Sequence, residues 1–379
     1  MDIDLPLQLL GGLSPAAFMR RHWQKKPLLV RQALPGVTPP LARAALFDLA
    51  ARDDVESRLV RRLDEDGSAG GGWSLASGPL ARRSLPAVKT PGWTLLVQGL
   101  DLHVAAAHEL LARFRFAPDA RLDDLMMSWA SDGGGVGPHL DSYDVFLIQV
   151  QGTRRWRIGR VPDRSFVEGL PLKILRHFEP EQEWLLEPGD LLYLPPMWGH
   201  DGQAVGECMT CSVGFRAPGA AEFARELMPR LAEGLEPAAG ERPYRDPRQP
   251  ATATPAMVPP GLREFAAQAV ERALRSPDAM ALALGEVLTE PKPKVWFEPR
   301  EPWAEGRAVV LDAGTRMMYD ECFIFINGEA MRAAGRDARL MRTLADSRRL
   351  AAPDCARLGS QARQLLAGWV DDGWAHLDD

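Results

Sequence analysis

The chain has 379 residues, of which 46% are hydrophobic and 25% charged. That length exceeds one typical domain, and the composition excludes a disordered chain or a coiled coil. A formal charge of −6 argues against whole-chain attraction to nucleic acid or acidic membranes. With 34 glycines and 32 prolines, turns and strands are favoured over long helices. Four cysteines do not make a disulfide framework. No cationic, apolar segment opens the chain, which starts Met-Asp-Ile-Asp, so a reducing cytoplasm is the expected location. The longest apolar runs, Val145–Val150 and Leu191–Pro196, are strand length and predict no membrane span.

In chain order, Ser14-Pro15 reads as an N-cap followed by proline at the first helical position, opening a short helix through Phe18 and Trp23. Lys26-Pro27 ends it before the strand-like Leu28-Leu29-Val30. From about Leu125 to Arg216, short β-type runs alternate with Gly, Pro and Asp, predicting a sandwich or small barrel. After Pro218 helices are expected. Phe223, Leu227 and Leu231 recur at helical spacing, with Pro229 kinking or dividing their helix. A proline-rich stretch, Pro237–Pro260, follows. Leu262, Phe265, Ala266, Ala269, Val270, Ala273 and Leu274 then trace one helical face, and Ser276-Pro277-Asp278 caps a further helix through Leu288. These stripes need a partner, either their own domain or a second subunit.

Beyond Pro291, strands at Val309–Leu311 and Cys322–Asn327, helices around Arg332–Ser347 and Ala356–Ala367, and a terminal hairpin with an Asp-Asp-Gly turn predict a winged-helix-like module. Residues 293–379 carry 12 Lys/Arg and 14 Asp/Glu, a net charge unlike that of a DNA reader.

The segment Gly133-Gly134-Gly135-Val136-Gly137-Pro138-His139-Leu140-Asp141 carries the chemistry. Strand alternation sends His139 and Asp141 to one face as a metal-ligand pair. Glu187-Pro188-Gly189-Asp190 reads as a turn and Leu191–Pro196 as a strand, with His200 placed at its end. Two histidines and one carboxylate form a facial triad that suits non-heme Fe(II), and on ligands alone zinc hydrolysis stays open. His22, His103, His177 and His376 lie outside this pattern. After Gln151-Gly152-Thr153, alternation puts Arg154 with Trp156 and Ile158 on the apolar side and sends Arg155 and Arg157 to the other. A cation there needs an anion, either a cosubstrate carboxylate or an internal Asp or Glu. The glycines Gly133–Gly135 precede no Gly-Lys-Ser/Thr, so they form no phosphate loop; close approach by a peptide backbone is expected. Cys208 and Cys211 read as unpaired core thiols in a strand.

At these motifs the chain resembles the JmjC-type 2-oxoglutarate oxygenases of the cupin superfamily, specifically the bacterial ribosomal oxygenases that hydroxylate an arginine of the sixteenth large-subunit ribosomal protein. The resemblance rests on Gly133–Asp144, on Gly152–Trp156, on Leu194–Gly202 and on the early Trp23-Gln24-Lys25-Lys26-Pro27-Leu28-Leu29. It implies an α+β chain: a double-stranded β-helix (cupin/JmjC jelly roll) over 1–217, a helical dimerisation segment over 218–292 and a winged-helix-like domain over 293–379. It implies Fe(II) on His139, Asp141 and His200, with 2-oxoglutarate and O₂ as cosubstrates. Arg154 then takes the distal carboxylate of 2-oxoglutarate, where many relatives carry lysine. In several relatives a threonine stands three residues before the first ligand; here that residue is Val136, and Ser128 or Ser212 is the expected second anchor. Asp132 matches the position that engages the substrate arginine, against the plain alternative of a turn residue. The implied partners are a large-subunit ribosomal protein and a second copy of the chain. Another protein or RNA target, or a noncatalytic cupin binding module, are the rival readings.

Overall fold

A computed structural model describes residues 2–63, 72–233, 243–251, 253–275 and 278–378. Residues 237–242 and 252 of the expected proline-rich stretch, and Ser276 and Pro277 of the expected cap, lie outside the described residues. Two compact units divide at 217/218.

In the first unit the strands are β1 (Leu28–Val30), β2 (Ser57–Arg62), β3 (Trp73–Ser77), β4 (Trp93–Val97), β5 (Leu122–Ala130), β6 (His139–Leu140), β7 (Val145–Arg160), β8 (Gln182–Leu186), β9 (Leu191–Leu194) and β10 (Trp198–Phe215). They join in the order β1-β9-β7-β10-β5-β4-β2-β3, with β6 on β10 and β8 on β7. The antiparallel sheet is a jelly roll, built on the long strands β7 and β10, which pair from Trp198↔Arg160 to Gly214↔Val145. Their register shifts between Val205 and Met209, where the chain turns a corner. Gly152 sits there at φ 64°, and a Cβ on it would lie 2.2 Å from the Glu207 carbonyl oxygen, so only glycine fits.

Alternation splits the side chains into two layers. Phe146, Ile148, Met209, Cys211, Val213, Met127 and Trp129 pack outward into the main core with Phe18, Phe47 and Phe114 from the covering helical segments. Val145, Leu147, Trp156, Ile158, Leu186, Leu192 and Leu194 fill the inside. Cys208 and Cys211 belong to opposite layers, since three residues along a strand reverses the face, and both are free thiols. Burial pushes the Cys211 thiol up to about 12.

Helix α1 (Pro15–Arg21) begins as expected, with Ser14 Oγ accepting from the Ala17 N–H. The residues after it anchor the amino-terminal segment. The Gln24 backbone N–H donates to Tyr193 Oη at 2.8 Å, and Gln24 Nε2 donates to Asp144. Tyr193 in turn donates to Asp144 at 2.6 Å, and Trp23 stacks on the Tyr193 ring. Asp144 is fully buried, and the ends of Gln24, Tyr193 and Arg121 converge on its carboxylate. Burial first, then the bond to Asp144, raises the Tyr193 phenol and keeps it a donor.

Between α1 and β2 lies α2 (Arg43–Leu49), and between β4 and β5 lies α3 (Ala105–Ala112). The second unit begins with α4 (Ala220–Glu233), which contains Pro229 without being divided, α5 (Pro260–Leu274) and α6 (Ala279–Thr289). None of the α5 residues is buried, and Leu262, Phe265, Val270 and Leu274 are all among the exposed large hydrophobic residues. Helix α6 packs on the sheet of β12 (Met317–Tyr319), β13 (Phe323–Ile326) and β14 (Glu329–Arg332). Gly285 there lies so close to the Phe325 ring that a Cβ would overlap it. Residues 218–379 form one compact unit.

Asn327 and Gly328, at φ 48° and 87°, make the expected hairpin turn between β13 and β14. The remaining elements are β11 (Ala308–Leu311), α7 (Gly335–Ser347), β15 (Arg349–Leu350), α8 (Ala352–Cys355), α9 (Ser360–Asp371) and β16 (Ala375–Asp378). Asp371-Asp372-Gly373 differs from the expected hairpin turn: it ends α9, and β16 pairs with β11. The α9 stripe of Ala362, Leu366, Trp369 and Val370 continues to the core and carries the helix past the expected end at Ala367.

Tyr193→Phe deletes the donor to Asp144 and the acceptor for Gln24. It should cost about 1–3 kcal/mol, read as a lower urea midpoint of the first unfolding transition. A midpoint equal to wild type's would show that this buried junction adds no net stability.

Candidate metal and cosubstrate site

Strand β6 pairs with β10 so that His139 and His200 stand directly opposite each other. Their rings lie 4.1 Å apart between centroids. His200 is not at the end of the strand Leu191–Leu194, as expected. Pro195-Pro196 stop β9, Met197 takes φ 66°, and the chain re-enters as β10 two residues before the histidine. The Met197 N–H donates to the Asp141 carbonyl at 2.7 Å and so fixes Asp141 beside the break. Ligand atoms of His139, Asp141 and His200 all fall within 4.8 Å of one another, and His200 Nε2 is 3.6 Å from the Asp141 carboxylate.

Each histidine is oriented by its own chain. His139 Nδ1 lies 2.8 Å from the Gly137 carbonyl, and His200 Nδ1 lies 3.0 Å from the Trp198 carbonyl. A carbonyl only accepts, so Nδ1 carries the proton and Nε2 presents a lone pair. Burial, and then the adjacent His139, hold the His200 imidazole down to about 4, which keeps it neutral as a ligand must be. The donor set therefore fits a divalent cation with coordination positions left over. None of His22, His103, His177 and His376 belongs to the cluster; His376 instead pairs with Asp312 at 2.8 Å.

The arginine run divides as its alternation predicts. Arg155 pairs with Glu183 and Arg157 with Asp201. Arg154 is 6% exposed, and its Nε and Nη2 have no hydrogen-bond partner among the described residues. The alternative of an internal ion pair therefore fails for those two donors. Ser128 and Ser212 are buried on the same face as Thr210, and Ser128 Oγ donates to the Thr210 carbonyl at 3.4 Å. Asp132 is exposed, and its Oδ1 accepts from the Gly206 N–H at 2.8 Å.

The glycine loop is closed by the chain itself. A Cβ on Gly134 would lie 2.4 Å from the Trp93 carbonyl oxygen, and one on Gly135 would lie 2.5 Å from that of Gly202. The close backbone approach expected from a peptide is thus already made within the fold at these two glycines.

Two neighbouring residues carried no signal as site residues in the sequence. Tyr143 interacts with Asp141; the residue is 38% exposed, and desolvation of the hydroxyl first and that carboxylate second raise its phenol. Trp156 lies between Arg154 and His200 on the inward face. Tyr143's spacing two residues after Asp141 was the available hint; for Trp156 there was only its alternation with Arg154.

A model described as a JmjC domain matches residues 109–223, which contain all of β5 to β10 and the whole ligand cluster. Fold and site together define an oxygenase of the JmjC class. A second model, a ROXA-like winged helix, matches residues 270–376. Over 333 residues the chain is 34% identical to the ribosomal protein uL16 3-hydroxylase of Escherichia coli K12, covering 85% of this chain and 86% of that one. It is 36% identical over 210 residues to a probable ribosomal oxygenase of Haemophilus influenzae, covering 54% of this chain and 50% of the other. A structure of the Escherichia coli ribosomal oxygenase YcfD with cobalt and 2-oxoglutarate superposes with a TM-score of 0.77 at 32% identity, over 96% of this chain and 97% of that one. The chain belongs to the ribosomal oxygenase family of 2-oxoglutarate-dependent JmjC enzymes.

Each of His139→Ala, Asp141→Ala and His200→Ala removes one of the three clustered donors. Cobalt(II) titration followed by visible absorption should show affinity falling by at least the roughly 10- to 100-fold that loss of a mere supporting partner costs. Unchanged cobalt affinity in the His200 variant would remove that residue from the site.

Proposed function

We propose that the chain catalyses Fe(II)- and 2-oxoglutarate-dependent hydroxylation of an arginine side chain in a large-subunit ribosomal protein. One observation carries this reading: a three-ligand cluster shares a barrel interior with a buried guanidinium that lacks partners on Nε and Nη2. The Escherichia coli relative is by name a hydroxylase of uL16, which supplies the substrate class.

His139, Asp141 and His200 would hold the iron. When bound, iron and 2-oxoglutarate supply an oxidative decarboxylation to succinate and CO₂, with one oxygen atom of O₂ passing to the substrate. The side-on fork of Arg154 matches a carboxylate bidentately and neutralises a charge otherwise costly in this interior. Ser212 is a further anchor on the inner wall, and Ser128 could serve only by giving up its bond to the Thr210 carbonyl. Exposed Asp132 has a second carboxylate oxygen to offer a substrate guanidinium. Val145, Leu147 and Ile158, buried in one inner cluster with Trp156, exclude water.

In this reading residues 1–217 are the catalytic domain, 218–292 pair two copies of the chain, and 293–379 form the winged-helix-like domain. The pairing rests on the exposed apolar stripe of α5. No described helix is long and apolar enough to cross a membrane. We place the enzyme in the cytoplasm with its ribosomal substrate and without a DNA partner.

Intact-mass analysis of ribosomal proteins incubated with enzyme, Fe(II), 2-oxoglutarate and O₂ tests the reading. One large-subunit protein should gain a single oxygen atom, on arginine. Succinate formed with no protein gaining mass would overturn the substrate class.

Asp132→Asn keeps shape and removes charge. It should slow turnover of the ribosomal substrate by about 10- to 100-fold and leave 2-oxoglutarate binding intact. Equal turnover would leave Asp132 a turn residue.

Leu274→Asp puts a charge on the α5 stripe and should shift sedimentation from dimer towards monomer. A wild type that sediments as a monomer would refute the pairing.

A further inference from the structure

Polar groups inside the barrel fall into two sets. Gln149 is fully buried, yet its amide donates to the carbonyls of Gln151 and Gly152, and its oxygen accepts from Thr210 Oγ1 at 2.9 Å. Ser128 is also bonded to main chain. Arg154 Nε and Nη2 are not, and neither is the indole N–H of Trp156, a side chain only 4% exposed. A buried donor without an acceptor costs about 1–3 kcal/mol, so the three that share the inner face of this strand segment, apart from Arg155 Nε on the outer face, mark a place prepared for an acceptor from outside.

Trp156 is held rigidly. It stands opposite Gly202 on β10, and a Cβ there would come within 2.6 Å of its six-membered ring. Glycine at 202 is what admits the indole. The ring centroid lies 5.9 Å from that of His200, and the Arg154 guanidinium carbon lies 5.8 Å from the indole. One end of the site is His200 and the other is Arg154, and each lies within 6 Å of the same ring. A linear dicarboxylate joining them must pass along it.

We propose that the indole N–H of Trp156 is a third hydrogen-bond donor to the distal carboxylate of 2-oxoglutarate, beside Nε and Nη2 of Arg154. This rests on the reading of Arg154 given above. A carboxylate has about four acceptor positions, so the two parallel bonds of the guanidinium fork leave room for one more. Lysine, a point charge with rotatable donors, imposes no such fixed plane. The arginine and the indole therefore act as a pair that selects a carboxylate at one distance from the metal.

The test is calorimetric titration of zinc(II)-loaded protein with 2-oxoglutarate, succinate and pyruvate, the last lacking the distal carboxylate. Trp156→Phe keeps an aromatic ring and deletes the N–H. It should weaken 2-oxoglutarate and succinate by about 10- to 100-fold, as for one hydrogen bond to a charged acceptor, and leave pyruvate and zinc affinity at wild-type values. With indole-¹⁵N labelling, the one N–H signal missing from the Trp156→Phe spectrum should move on adding 2-oxoglutarate and stay still on adding pyruvate. If Trp156→Phe does not fold, benzothienylalanine at position 156 replaces N–H by sulfur within nearly the same outline. Wild-type 2-oxoglutarate affinity in either variant, or equal losses for pyruvate, would overturn the proposal and leave the N–H to a structural role. Arg154→Ala separates the two levels. If it binds 2-oxoglutarate as tightly as wild type, the assignment of Arg154 fails; if it loses dicarboxylates while Trp156→Phe does not, only the role of Trp156 fails.

Discussion

The register of β7 against β10 is the constraint on which the site depends. His200 faces Ile158, Gly202 faces Trp156 and Ala204 faces Arg154 along one antiparallel pair. A slip of β7 by one residue along β10 would turn Trp156 and Arg154 to the outer layer, away from His200, and bring Arg155 and Arg157 inside. The register is held from both sides. Outward, Phe146 and Ile148 of β7 and Met209, Cys211 and Val213 of β10 are packed into the main core. Inward, the indole of Trp156 fits only over a residue without a side chain.

The interior of this jelly roll is not simply an apolar core. Its polar residues near the corner are saturated by one another and by main chain, whereas Arg154 and Trp156 keep donors without acceptors among the described residues. Leaving such donors unmade lowers stability, a cost offset by the large outer core with its aromatic packing around Phe18, Phe146 and Tyr193. The same separation holds for the metal ligands. Each imidazole is oriented by a carbonyl two residues away in its own chain, so neither depends on a distant side chain for its tautomer.

The second unit shows the opposite balance. Its winged-helix part closes a core of its own around Val309, Ile324, Leu344 and Leu366, but α5 leaves Leu262, Phe265, Val270 and Leu274 exposed. A helix of that length is marginal in water without packing.

By itself the sequence determined what depends on near neighbours. Strand alternation sorted Arg154 from Arg155 and Arg157, the Ser14-Pro15 cap started its helix, and Asn327-Gly328 made its turn, because period, capping and turn chemistry act within a few residues. The motifs around His139 and His200 also singled out residues that gather into one cluster of candidate ligands. Their meeting was decided by tertiary structure, since β6 and the start of β10 are distant in the chain and adjacent only in the folded sheet. Folding also decided that Gly134 and Gly135 admit the chain's own carbonyls, that Asp371-Asp372-Gly373 ends a helix, and that the Trp156 N–H has no acceptor. Whether a buried polar atom is satisfied depends on every strand that surrounds it, and no local pattern carries that information.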